Sequence, residues 1–99
     1  MTMGKIYRQG DCLLIEVEKL PDQLKQKDNI LLLGEATGHH HKIENGIVYA
    51  DANGMQYVQV QKEATLTHQE HEWLTLPKGN YQMRRQREYS PLADRQVQD

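Results

Sequence analysis

Short runs of alternating or β-branched residues, each cut off by a glycine- or proline-bearing turn, follow one another through nearly the whole chain. No stretch keeps its apolar residues at helical spacing, so the pattern predicts strands. Residues 12–18 are the clearest run: Leu13, Ile15 and Val17 share one face, and Cys12, Leu14, Glu16 and Glu18 share the other. The second face passes from apolar to charged, as in a strand that leaves the interior. Ile6, Tyr7 and Arg8 form a shorter strand before it, joined through Gln9-Gly10-Asp11.

Pro21 ends the second strand. Residues 22–29 are polar, with only Leu24 as anchor, and read as a surface loop or one helical turn. Residues 30–33 are a buried strand halted at Gly34, and Gly38 marks a second bend. Residues 39–43 read as extended, and Asn45-Gly46 is the pair that a two-residue hairpin turn favours, with residues 47–50 returning. After a turn at 51–54 come strands at 55–60, 64–68 and 73–76, a turn at Pro77-Lys78-Gly79-Asn80, and a last long strand over 81–89. About seven or eight short strands without a helix predict an all-β fold, a small antiparallel β-barrel or sandwich.

Ninety-nine residues make one domain, with 1–4 as a leader and 90–99 as a polar tail. A chain of this size buries only roughly 60–65% of its unfolded surface. The apolar share is 37% and Phe is absent, so self-association into a homo-oligomer or a bound metal is expected to supplement a thin core. The net charge of −2 gives no global attraction to nucleic acid or anionic membranes. One cysteine, no signal-peptide pattern and no long apolar run make a cytoplasmic protein, away from membranes, the expectation.

All five histidines fall in two places, His39-His40-His41 and His68-Gln69-Glu70-His71. Imidazole is the commonest ligand for transition metals and titrates near neutrality. On an extended strand His39 and His41 project from one face about 6–7 Å apart, close enough to share an ion, while His40 points away. His68 and His71, three apart, converge only if the chain bends at Gln69-Glu70. His39, His41 and His68 are therefore the candidate metal ligands, for Zn, Mn, Fe or Ni, and an open fourth position would admit water. His71 and Glu35 are the candidate acid–base partners; Glu70 and Glu72 are further nearby carboxylates.

No H-E-x-x-H, paired C-x-x-C, glycine-rich phosphate loop or G-x-S-x-G elbow is present, which sets aside the corresponding metalloprotease, zinc-finger, nucleotide-loop and hydrolase readings. His39-x-His41 after a glycine-rich turn, with Pro77-Lys78-Gly79 farther on, resembles a minimal cupin, although Gln82 stands where a cupin has a histidine. A likeness over nearly the whole chain rests on Gln9-Gly10-Asp11, residues 34–41, residues 68–71 and residues 86–91. These segments resemble a family of small uncharacterised bacterial proteins with G-E-x-T-G-H-x-H, L-x-H-x-E-H and Q-R-E-Y-x-P patterns. That resemblance implies that His39, His41, His68 and His71 belong together.

On the last strand Arg85 and Arg87 share a face with Tyr81 and Tyr89, a surface suited to phosphate with stacking on a base. Arg85, Arg87 and Tyr89 are accordingly the candidate substrate-binding residues, for a nucleotide or RNA. The leading expectation is a metal-dependent hydrolase acting on a phosphate-containing substrate. The alternatives are a metal-independent histidine ribonuclease or cyclic-nucleotide phosphodiesterase, with His39 or His41 as base and Arg87 on phosphate, and a non-enzymatic binding module.

Overall fold

A computed structural model describes residues 4–31 and 40–86. Eight antiparallel strands form one curled, half-barrel sheet. They are β1 (Ile6–Gln9), β2 (Cys12–Val17), β3 (Lys25–Lys27), β4 (Ile30–Leu31), β5 (His41–Glu44), β6 (Ile47–Ala50), β7 (Gln56–Thr67) and β8 (Leu74–Arg85). The main path runs β1-β2-β8-β7-β5-β4; β6 also pairs with β7, and β3 lies against β6. Among the described residues no helix is long and apolar enough to cross a membrane.

The all-β expectation holds, but the strands are divided differently. Asn45-Gly46 does not close a hairpin. Instead β5 and β6 lie end to end along the same edge of β7, Glu44 opposite Thr65 and Ile47 opposite Gln59. A type I′ turn needs positive φ at both central residues, whereas here only Asn45 has it, at 67°. Gly46 serves close packing: a Cβ there would come within 2.8 Å of Ile43 Cγ2. The hairpin falls one turn later. Asp51 Oδ1 accepts from the Asn53 and Met55 amides, Gly54 has φ 87°, and Ala50 pairs with Gln56.

Three further expectations are corrected. Residues 25–27, read as loop or helical turn, form β3 on the edge of β6; lysine-rich edge strands are favoured because charge deters further pairing, and they lack the apolar alternation that reveals other strands. The separate runs at 55–60 and 64–68 are one strand with a bulge between Val60 and Glu63. Pro77-Lys78-Gly79-Asn80 is not a turn but part of the twelve-residue β8. Because β2 reaches β8 only as far as Asn80, β8 has an open edge at Pro77, where a missing N–H is tolerated. The turn that supported the cupin likeness is therefore not formed.

Alternation carries one side of the curled sheet inward. Cys12 and Leu14 of β2, Ile43 of β5, Val58, Val60, Ala64 and Leu66 of β7, and Leu76, Tyr81 and Met83 of β8 make the core with Leu31 and Val48. Each fully buried aliphatic side chain contributes about 1.5–3 kcal/mol. Along β2 the inward face goes from buried Cys12 and Leu14 to half-buried Glu16, the apolar-to-charged passage expected from its sequence.

Candidate functional site

His41 is the residue that continues the apolar inner face of β5 two positions before Ile43, and it is 2% exposed. A polar ring placed there must find partners. It finds one from β1, across the sheet. Gln9, itself buried, has its Nε2 2.8 Å from Leu66 O and 2.9 Å from Glu72 O, so both amide protons go to backbone carbonyls. Its Oε1 then lies 2.7 Å from His41 Nδ1. An amide oxygen only accepts, so His41 carries its proton on Nδ1 and keeps a lone pair at Nε2.

The loop between β7 and β8 brings the other two rings in. The chain bends at residues 69–71, and the His68 and His71 ring centroids come to 4.6 Å, the convergence that a bend at Gln69-Glu70 was expected to produce. His68 lies 4.5 Å from His41 by centroids, and His71 lies 6.3 Å from it, nearly parallel. His71 rests on the first turn: Gly10 has φ 59°, and a Cβ there would come within 2.6 Å of His71 Nε2. Both the turn and the ring require glycine at that position. The Glu70 amide donates to His68 Nδ1 at 2.9 Å, which leaves the proton of neutral His68 on Nε2.

Burial grades outward through the three rings, His41 buried, His68 half-buried and His71 exposed. The His41 pKa is pushed down from 6.5 to about 4, first by burial and then by repulsion from His68 and His71, with Asp11 opposing. At neutral pH His41 is uncharged. Cys12, paired with Gln9 in register, is no thiolate: burial, helped by the Asp11 charge, pushes its thiol up to about 12. Among the described residues no three His, Cys, Asp or Glu side chains are arranged to hold a metal ion.

Of the sequence candidates, His41, His68 and His71 come together. His39, Glu35, Arg87 and Tyr89 lie outside the described residues. Arg85 is half-buried in the cross-strand row Gln9, Cys12, Arg85, two strands and about 10 Å of backbone spacing from Gln9. Its expected partner in stacking, Tyr81, is corrected: that ring is fully buried, donates from its hydroxyl to Pro77 O at 2.6 Å, and meets Tyr7 edge-on at 5.8 Å. It offers no face to a base.

Sequence reading missed two residues. Gln9 stood within a recognised segment, but nothing in its neighbours shows that it faces inward; its period-two relation to Tyr7 was the available signal. Trp73 was read only as the start of a strand and instead stands 71% exposed beside His68 in an open groove of about 220 Å³. Lys42, on the outward side of β5, and His40, just before the strand, line the same groove.

No curated protein and no solved structure matches the chain. Residues 8–86, which carry Gln9, His41, His68, His71 and Arg85, match the family described as "Domain of unknown function (DUF8820)", and the chain belongs to that family.

Proposed function

We propose that His39, His41 and His68 form a binding site for a divalent transition metal of the Zn, Mn, Fe or Ni group, and that the protein uses it to hydrolyse a phosphate ester of the nucleotide or RNA class. The observation that carries this reading is the bond from His41 to Gln9. A histidine whose Nδ1–H is fixed by an oxygen acceptor, with Nε2 left as a lone pair, has the arrangement by which proteins orient a metal ligand. The low basicity of His41 keeps that lone pair unprotonated at neutral pH. His68 and His39 are the further ligands in this reading.

A bound metal would polarise the phosphate and lower the pKa of a coordinated water. The chain's own residues orient and move protons around it. Gln9 holds His41 in one tautomer, His71 is the candidate acid–base partner beside it, and Arg85 is the candidate to bind the anion. Coordination through His68 Nε2 requires His68 to move its proton to Nδ1, so the Glu70 amide must turn away; the bend at residues 69–71 is where the ligand set adjusts.

A second reading is favoured by the tautomers themselves. His41 presents an acceptor at Nε2 and His68 a donor at Nε2, the complementary pair that acid–base cleavage of a phosphodiester needs without metal. Metal analysis of purified and reconstituted protein, beside assays on RNA and cyclic nucleotides with and without chelator, separates the two. Close to one equivalent of metal and chelator-sensitive hydrolysis are expected. Substoichiometric metal after reconstitution, with chelator-resistant cleavage, would replace the first reading by the second.

A further inference from the structure

The groove beside His68 has a composition that the histidine cluster does not account for. It is lined by His40, Lys42, Thr67, His68, Gln69 and Trp73 and opens to solvent. Lys42 and Thr67 are register partners on β5 and β7, and the His40 amide donates to Gln69 Oε1 at 3.1 Å, so the floor and one wall are fixed by the sheet and the β7–β8 loop. Trp73, at 71% exposure, keeps a large indole in water. Leaving such a ring uncovered forgoes a large hydrophobic gain, which a planar ligand recovers by stacking on it. The Lys42 ammonium, half-exposed and in only a loose 3.5 Å pair with Glu44, is available to an anion in the same space.

We infer that this groove binds a nucleotide unit, with the base stacked on Trp73 and the phosphate held by Lys42 next to His68. The inference rests on the proposed phosphate-ester chemistry, for which it names the substrate class and the docking residues. His68 belongs to both the groove and the ring cluster, so the groove adjoins the histidine site through that ring. The chemistry is common to a free mononucleotide and to a nucleotide within single-stranded RNA.

Trp73 is the single tryptophan of the chain, so its fluorescence reports on the groove alone. Titration in chelator with AMP, adenosine, inorganic phosphate and a hexa-adenylate keeps this measurement independent of metal loading, so it can fail while the metal reading stands, and the reverse. AMP is expected to quench the emission and to bind more tightly than adenosine or phosphate. In calorimetry Trp73→Ala is expected to weaken AMP roughly 10- to 100-fold, Trp73→Phe to retain most of the affinity, and Lys42→Gln to remove the advantage of AMP over adenosine. Hexa-adenylate binding tighter than AMP identifies RNA as the source, and equal affinity identifies the free nucleotide. Absence of quenching at millimolar AMP and hexa-adenylate, or unimpaired binding by Trp73→Ala, overturns the inference.

Discussion

Two polar rings are buried against the inner face of the same sheet, and they are treated in opposite ways. Tyr81 on β8 has one hydroxyl proton, and Pro77 O takes it at 2.6 Å; its ring is closed over by the core and Tyr7. His41 on β5 has two nitrogens, and the bond among the described residues is made by Nδ1, to Gln9. The first is a completed structural element. The second is held as firmly but keeps a lone pair at Nε2, with the His68 ring 4.5 Å away by centroids. A buried polar group with a chemical function differs from a structural one less in its burial than in what its partners leave open.

The widest separation between the rings is expected from pH. The folded-state pKa of His41, about 4, lies below its unfolded value of 6.5. The unfolded chain therefore takes up a proton first as pH falls. Stability from this group is complete above pH 6.5, is lost as pH drops toward 4, and changes no further below that. The loss is at most about 3 kcal/mol. Denaturant unfolding of chelated protein at pH 7 and 4, compared with His41→Gln, checks it; an unchanged pH dependence in the variant would remove His41 from the account. Tyr81, pushed up to about 12 by burial and the neighbouring Tyr7 and Glu16, stays protonated throughout this range.

Removing the orienting partner is the next largest effect. Gln9→Leu is expected to weaken metal binding about 10- to 100-fold, the usual cost of losing a group that fixes a ligand histidine. Competition titration against a chromophoric chelator measures it, and wild-type affinity in this variant would show that the tautomer of His41 has no bearing on the site. The smallest effect belongs to the closed ring. Tyr81→Phe should lower stability by about 1 kcal/mol in thermal or denaturant melts while leaving metal affinity unchanged. If it lowered both, the two regions would not be independent.

Much of this arrangement was legible in the chain. Alternation over residues 12–18 separated Cys12 and Leu14 from Leu13, Ile15 and Val17, and the two histidine clusters held the residues that meet as His41, His68 and His71. Their spacing showed that His68 and His71 could meet only through a bend at Gln69-Glu70, which is formed. What escaped depended on pairing. Asn45-Gly46 has hairpin chemistry, but whether the flanking segments pair with each other or share a third strand is decided by β7, a long-range partner. Pro77 reads as a turn unless it is known that β8 has an open edge there. Residues 25–27 carry no apolar pattern because an edge strand of lysines is held by its backbone. Tyr81 and Arg85 have the same parity, but parity alone does not tell the inner face of a sheet from the outer one.

The bond network of Gln9 also bears on when the site comes into being. One side chain near the start of the chain holds the Leu66 and Glu72 carbonyls and the His41 ring. During synthesis every residue through Glu72 must emerge before Gln9 has all its partners, and closing a loop of that length is slow. Any fragment lacking β1 would keep the three histidines yet leave the proton of His41 free to sit on either nitrogen. The tautomer of His41 is thus fixed only once β1, β5 and the β7–β8 loop have come together.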